Sequence, residues 1–390
     1  MITKLTVSNW KSYSEATLYI DPLTFLIGTN ASGKSNLLDA FVCLSELASG
    51  RLVSDVFGSI RGGADWLIRK GQRVAKLSVV EEQEEGEDEV TYEVEFMRRD
   101  EGISISREKL MVSDKVLFEV ALPEETSPVT VGSFYTGKRG DRVKIEFGRS
   151  VSVLSQIETL SEYRVVRAAA SKVVRDLRGV FMLNPIPNNM RGYTPLSQAL
   201  RQDASNVAGV LAGMEEGRRK EVEGVLTSYL RKLPERDINK VWTERVGVFG
   251  ADAMLYCEEQ WSTEENNVVD ARGMSDGTLR FLAIVVALLT INPGSLLIVE
   301  EVDNGLHPSR IVELIQMLRT IGAERRVDVI CTTHNPVVMD GLGVEMIPFI
   351  ACTDRDGEGA SVVRLVEDKE NLAKMLSMDS IGGLMVKDML

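Results

Sequence analysis

The segment GTNASGKS at residues 28–35 constrains the fold more than any other part of this chain. Residues 23–27 before it are mostly apolar and predict a short buried strand, while residues 34–42 after it carry apolar side chains at helical spacing. A glycine loop between a strand and a helix is typical of phosphate binding, because its backbone N–H groups turn inward on the anion and the helix N-terminus favours negative charge. The pattern GxxxxGK(S/T) therefore predicts an α/β P-loop fold, in which Lys34 reaches the terminal phosphates of a nucleotide and Ser35 binds magnesium.

Two apolar segments near the other end of the chain predict further buried strands. Residues 296–299 suit a strand buried on both faces of a parallel sheet, and Glu300 and Glu301 follow it directly. We expect Glu300 to hold magnesium, directly or through water, and Glu301 to orient or deprotonate the attacking water. The alternative is two surface glutamates after a core strand. Residues 327–333 predict the next strand, which leads into His334.

A third segment, RGMSDGTLR at residues 272–280, opens an apolar helix that runs to about residue 289. Ser275 and the N-terminus of this helix can form a second anion-binding device. The alternative is an ordinary capped helix, with Ser275 as the cap and Gly277 in the first turn.

The chain has 390 residues and a mass of 43.1 kDa, which is long enough for one large domain or for a domain with an inserted lobe. Residues 74–112 predict antiparallel β structure with the acidic run 81–89 at a hairpin turn, and residues 150–233 indicate helices. We expect an N-terminal half of the nucleotide-binding domain with a β hairpin lobe at 1–150, an inserted helical lobe at 151–250, and the C-terminal half at 251–390.

Composition limits the class of protein. Four cysteines stand far apart without a CxxC pair, which indicates reduced thiols in a cytoplasmic protein rather than a metal site or a disulfide framework. No run approaches the length of a membrane span and the N-terminus lacks a signal-peptide pattern, so we expect no membrane association. The net charge of −13 argues against a chain-wide surface for polyanions, although a local one stays possible.

The order of these motifs resembles that of the ATP-binding-cassette (ABC) ATPases: glycine loop, serine–glycine signature, apolar strand with two acids, then a histidine after the next strand. Within them, the opening LTVSNWKSY…PLTFLIGTNASGKSNLLDAF is similar to the soluble branch that contains RecF, RecN and the SMC heads. The run EEVDNGLHP at 300–308 resembles compact OLD-type (overcoming-lysogenisation-defect) and related bacterial defence ATPases, which have Glu where most cassettes have Asp.

The resemblance implies an ABC-type ATPase head that uses ATP and Mg2+. The residues it assigns to the nucleotide are Gly28, Asn30, Ala31, Ser32, Gly33, Lys34, Ser35, Asn36, Ser275 and Gly277. Ser35 and Glu300 are the implied metal ligands, and Glu301 and His334 the catalytic residues. Asp303 lies in the loop that usually crosses a dimer interface. One departure is the signature SDGTLR, where SGGQ is common.

Two further segments allow alternative interpretations. His307, before Pro308, is interpreted as a helix-start residue; the alternative is a contact with the active site of a second protomer. The run TDRDGE at 353–358 could hold the metal of a nuclease, but Asp-Gly before the alternating residues 361–365 predicts a hairpin turn instead.

The resemblance also implies function and partners. We expect a homodimer, or a higher even-numbered oligomer, assembled through composite ATP sites. Only 56 residues follow His334, too few for the nuclease domain of OLD-type proteins, so we expect a separate effector such as a nuclease, controlled within a bacterial anti-phage system. The alternative is a DNA-binding ATPase of RecF/SMC type in repair or recombination. ATP is favoured over GTP, because the guanine-like run NKVW at 239–242 lacks its final Asp.

Overall fold

The computed structural model describes residues 1–81, 88–100, 102–120, 129–138, 141–157, 160, 162–233, 238–260, 267–387 and 389. The chain forms two compact units. The first consists of Met1–Asp21, Leu26–Val180 and Ala351–Leu365, and the second of Pro22–Phe25, Phe181–Ile350 and Val366–Leu390. The three segments expected from the sequence stay a prediction.

The strands in the described residues are, in chain order, β1 (Ile2–Ser8), β2 (Glu15–Tyr19), β3 (Leu23–Ile27), β4 (Val74–Glu81), β5 (Val90–Arg99), β6 (Gly102–Val112), β7 (Lys115–Val120), β8 (Val129–Tyr135), β9 (Arg142–Gly148), β10 (Val180–Leu183), β11 (Thr194–Pro195), β12 (Ile238–Val246), β13 (Asp252–Glu259), β14 (Val268–Asp270), β15 (Leu296–Val299), β16 (Asp328–Thr333), β17 (Ile350–Arg355) and β18 (Ser361–Leu365). The α-helices are α1 (Lys34–Ala48), α2 (Val53–Ser59), α3 (Val153–Gln156), α4 (Arg164–Arg178), α5 (Pro187–Met190), α6 (Val207–Gly213), α7 (Glu216–Lys232), α8 (Asp276–Thr290), α9 (Pro308–Arg325), α10 (Pro336–Leu342), α11 (Leu372–Leu376) and α12 (Ile381–Val386).

The first unit is built on an antiparallel sheet in the order β2–β1–β4–β5–β6–β7–β8–β9. Alternation along β5 places one side chain in two in the core, namely Val90, Tyr92, Val94 and Phe96. The antiparallel structure predicted for 74–112 is confirmed, and the sheet continues through three more strands. Residues 82–87 of the predicted turn lie outside the described residues.

Helix α1 and the hairpin β17–β18 are the elements of the first unit that lie next to the glycine loop at residues 28–35. Helix α1 begins at Lys34, and it buries one face that includes Leu37, Phe41 and Leu44. Helix α4 packs against it. Strands β17 and β18 pair antiparallel with Arg355 opposite Ser361, so the predicted hairpin turn is confirmed.

The second unit contains two sheets. In one, β10, β15, β16 and the start of β3 are neighbours in that order, and β15 and β16 run parallel. All four residues of β15 and all six of β16 are buried, as the continuous apolar runs predict. The other sheet has the order β11–β13–β12, with β14 also paired to β13. Among the described residues, no helix has both the length and the apolar composition that crossing a bilayer requires.

Candidate functional site

The glycine loop (residues 28–35) has a backbone that only glycine fits at two positions. Gly28 has φ 143° and Gly33 has φ 122°. A Cβ added at Gly28 would lie 2.3 Å from the carbonyl oxygen of Thr353, and one added at Gly33 would lie 2.4 Å from the Oγ of Ser361. A side chain at Gly28 or Gly33 would therefore both strain the backbone and clash with a neighbouring atom. The loop packs directly on β17 and β18.

Thr353 and Ser361 hold the glycine loop through buried hydrogen bonds. The Oγ1 of Thr353 donates to the carbonyl of Ile27 at 3.0 Å and lies 2.6 Å from the Oγ of Ser32. The Oγ of Ser361 donates to the carbonyl of Ser32 at 2.5 Å. The three hydroxyl-bearing residues are at most 2% exposed. The hydroxyl of Ser32 is thus engaged in a hydrogen bond within the protein. The predicted contact of Ser32 with a nucleotide would therefore have to come from its backbone.

Lys34 and Ser35 lie at the start of α1. The Nζ of Lys34 donates to the carbonyls of Gly28 at 2.6 Å and Thr29 at 2.9 Å, so its ammonium lies against the loop. Ser35 is exposed. An exposed hydroxyl beside a lysine at a helix N-terminus fits the oxygen chemistry that magnesium and phosphate require.

The remaining residues assigned to the glycine loop differ in surroundings. Asn30 and Ala31 are exposed, and the carbonyl of Ala31 accepts from the guanidinium of Arg355 at 2.8 and 3.2 Å. The Nδ2 of Asn36 instead donates to the Oγ of Ser12 at 2.8 Å. The Asn36 amide therefore ties α1 to the segment between β1 and β2.

Tyr13 lies beneath the loop with its ring fully buried. Its hydroxyl would be 2.9 Å from a Cβ at Gly33, and it has no hydrogen-bond partner within the described part of the chain. Burial raises the pKa of Tyr13, while the charge of Arg355 lowers it. The phenol thus stays protonated at physiological pH and can only donate or accept a neutral hydrogen bond.

In the second unit, the acidic loop (residues 300–306) follows β15. Glu300 is half-buried and Glu301 is exposed. Glu301 has φ 47°, an unfavourable conformation for a residue with a side chain, and its N–H donates to the Oγ1 of Thr332 at 2.9 Å. The Nδ2 of Asn304 donates to the Oε2 of Glu301 at 3.2 Å. Thr332 therefore holds the backbone of Glu301, and Asn304 contacts its exposed carboxylate.

Asp303 and His334 are linked through the end of β16. Asp303 is 8% exposed, and its Oδ1 accepts from the Oγ1 of Thr333 at 2.6 Å. Thr333 immediately precedes His334, whose side chain is exposed. The structure thus brings Glu301, Asp303 and His334 into one group through two threonines. The interface role of Asp303 stays a prediction.

The signature segment (residues 275–280) starts α8, as expected. The Oγ of Ser275 accepts from the N–H of Thr278 at 3.1 Å, which is the N-cap bond. A Cβ at Gly277 would lie 2.7 Å from the carbonyl oxygen of Gly305, so glycine permits the acidic loop to approach α8. The buried Arg310 donates to the Oγ1 of Thr278 at 3.1 Å.

His307 is the N-cap of α9. Its Nδ1 accepts from the N–H of Ser309 at 3.3 Å and lies 2.7 Å from the Oγ of Ser309. This geometry agrees with the interpretation of His307 as a helix-start residue.

Two family models match this chain, and each covers a separate segment of it. Residues 1–110 match the family model described as AAA ATPase domain, and residues 232–340 match the model described as AAA domain, putative AbiEii toxin, Type IV TA system. The DNA replication and repair protein RecF of Corynebacterium jeikeium (strain K411) is 32% identical over 78 residues. That match covers 20% of this chain and 16% of RecF.

A crystal structure of an SMC head bound to the C-winged helix domain of ScpA covers 93% of this chain and 96% of its own, with a TM-score of 0.51 and 15% identity. The fold is that of an SMC-type ATPase head. The two AAA matches and the RecF match support an ATPase of the AAA, RecF and SMC type. Sequence reasoning did not predict that Thr353, Arg355 and Ser361 contact the glycine loop, because the run 353–358 indicates only a metal site or a hairpin turn.

Proposed function

We propose that this head binds and hydrolyses ATP with magnesium, and that ATP joins two heads into a dimer that hydrolysis releases. The observation that supports the proposal best is the glycine loop, because Gly28 and Gly33 adopt conformations strained for other residues and are held there by buried hydroxyls. Such a backbone presents N–H groups to phosphate without rearrangement.

In this proposal each side chain has one task. Lys34 binds the terminal phosphates, and the oxygens of Ser35 and Glu300 hold the magnesium, which supplies charge neutralisation when bound. Glu301 orients the attacking water and takes its proton. His334 contacts the γ-phosphate, while Ser275 and Gly277 bind the ATP of the second head.

A variant that stops hydrolysis tests the proposal. Glu301→Gln should keep ATP binding, abolish turnover and accumulate dimers when ATP and magnesium are added, measured as mass in solution. Glu324→Gln is the matched control, because Glu324 is an exposed glutamate on α9. A Glu301→Gln protein that stays monomeric with ATP bound would refute head-to-head association.

We further propose that the head controls a separate effector protein in a bacterial defence system. The name of the model matched at 232–340 includes a putative toxin of a type IV toxin–antitoxin system, which supports a two-component arrangement. The OLD-type likeness of the run 300–308 supports the same setting. We expect a protein encoded beside this chain to co-purify with it and to be released when ATP is hydrolysed. If no such protein co-purifies in the presence of ATP, in the presence of ADP or without nucleotide, the effector proposal is contradicted.

A second candidate function is favoured by α4. Four arginines of this helix, Arg164, Arg167, Arg175 and Arg178, fall within roughly 80° of its circumference and extend over roughly 21 Å. The side chain of Arg175 is 72% exposed, and Val165 is the one exposed large apolar residue of the helix. An arginine stripe on a chain of net charge −13 fits a phosphate backbone rather than a bilayer, which would require an apolar face.

This candidate is a DNA-linked ATPase, consistent with the name of the RecF relative. Duplex DNA should bind with a strong salt dependence, and Arg164→Gln with Arg167→Gln should weaken binding and lower the salt slope by about 2. Arg219→Gln with Lys220→Gln on α7 is the control. If both double variants bind DNA equally well, α4 is not the DNA-binding surface.

A further inference from the structure

One guanidinium holds the turn that leads into the signature segment. Arg191 directly follows α5, and its Nη1 donates to the carbonyls of Ala271 at 3.0 Å, Arg272 at 2.9 Å and Met274 at 2.7 Å. Its Nη2 donates to the Oδ1 of Asp276 at 2.5 Å. Because a guanidinium keeps its charge at all physiological pH values, Arg191 presents a positive charge to Asp276 throughout that range.

The position of Asp276 makes this contact informative. Asp276 is the first residue of α8, between Ser275 and Gly277, and its side chain is 61% exposed. A carboxylate at a helix N-terminus interacts favourably with the helix dipole and so competes with any other anion for the same N–H groups. If the signature segment binds phosphate, Asp276 by itself repels the ligand.

Arg191 offsets this repulsion because its positive charge lies against the Asp276 carboxylate. The same side chain orders the backbone of residues 271–274, immediately before the N-cap Ser275. One side chain thus supplies charge neutralisation and positioning. Its own exposure is 25%, so the charge is partly shielded from water.

We propose that Arg191 is a positioning residue that makes an acidic signature segment competent to bind the phosphates of ATP held by a second copy of this chain. The inference rests on the proposed ATP-driven association and explains how Asp276 is tolerated where SGGQ signatures have glycine. It assigns a function to a residue outside every motif of the sequence.

The test measures association of heads and ATP binding separately, in the Glu301→Gln parent. Arg191→Gln should weaken ATP-dependent dimerisation about tenfold, the size expected for one unpaired charge near the phosphates in a partly hydrated site. The affinity of the glycine loop for a fluorescent ATP analogue, measured on monomers at low concentration, should not change. Adding Asp276→Asn to Arg191→Gln should restore the part of the loss that comes from the uncompensated carboxylate, while the part that comes from the three lost carbonyl contacts should remain.

Two further variants separate charge from folding. Asp276→Asn alone should dimerise at least as tightly as the parent, whereas a merely structural ion pair predicts weaker association. Arg245→Gln is the control, because Arg245 also holds a backbone carbonyl of the second unit, that of Ala212, at 2.9 and 3.1 Å. It should leave dimerisation unchanged.

The outcomes distinguish this inference from the proposed function. A parent that does not dimerise with ATP overturns both. A parent that dimerises while Arg191→Gln dimerises equally well overturns the role of Arg191 alone. Loss in Arg191→Gln without recovery in the double variant overturns charge compensation, and so does weaker dimerisation of Asp276→Asn.

Discussion

Thr353 provides a sharp test of how the glycine loop is held in its shape. Thr353 is 1% exposed, and the nearly isosteric change Thr353→Val replaces with a methyl group the hydroxyl that contacts Ile27 and Ser32. Leaving buried polar atoms without a partner costs about 1–3 kcal/mol. We therefore expect the free energy of unfolding to fall by about 2 kcal/mol.

Thr353→Val should also lower the affinity for ATP, because nucleotide binding requires the backbone conformation of the glycine loop that Thr353 stabilises. If all of about 2 kcal/mol is needed to restore that backbone on binding, the affinity for ATP falls roughly 30-fold. Equilibrium titration with a fluorescent ATP analogue measures the affinity, and urea denaturation measures the stability.

Thr353→Ser is the matched control, since it keeps the hydroxyl and loses one methyl group, worth about 0.8 kcal/mol of burial. It should lose stability but bind ATP as the wild type does. Wild-type affinity in Thr353→Val would refute the reasoning, and an equal loss of affinity in both variants would assign the effect to packing.

Three other predictions concern different parts of the head. Gly277→Ala should cost about 1–3 kcal/mol of stability and weaken ATP-dependent dimerisation, because its Cβ would lie 2.7 Å from a backbone carbonyl oxygen; Gly224→Ala, with open space around it, should be harmless in the same melts. Burial raises the pKa of Glu81 from 4.5 to about 8, so the proton it retains contributes stability that is complete below about pH 4.5 and lost as pH rises through 8. Glu81→Gln should flatten that decline in urea denaturation at pH 5 and pH 8, and an unchanged decline would contradict the assignment. His334→Ala should abolish turnover with little change in stability, whereas His307→Ala should lose about 1 kcal/mol of capping and keep most turnover; equal losses of turnover would instead indicate a shared catalytic role.

Much of the fold could be predicted because its signals are local. The strand at 23–27 has the predicted bounds, α1 begins at Lys34, and the buried strand at 296–299 ends where the glutamates begin. Each of these depends on periodicity or on turn residues within about ten positions. The sequence predicts antiparallel strands only for residues 74–112 and not for β7 to β9, because these three strands are short and mixed in pattern.

The missing part of the site depends on contacts between distant residues. Thr353 and Ser361 contact Ser32 of the glycine loop across 321 and 329 residues of sequence, and a threonine or serine in a strand carries no signal of such a partner. Arg191 follows the short helix α5, and nothing in the local sequence indicates that its partners lie 80 to 85 residues further along the chain. The arginines of α4 alternate with valines and alanines, so they indicate an amphipathic helix before they indicate a charged surface.

The distance between the glycine loop and its supports has a consequence for synthesis of the chain. Residues 28–35 leave the ribosome long before Thr353 and Ser361 exist, and at about 5–20 residues per second the interval is roughly 15–65 s. Throughout it, the nascent chain has the nucleotide motif without the hydroxyls that shape it. We therefore expect a nascent chain that ends before Thr353 to bind ATP more weakly than the full chain, so that the proposed ATP-dependent association of heads becomes favourable only after Ser361 has been added.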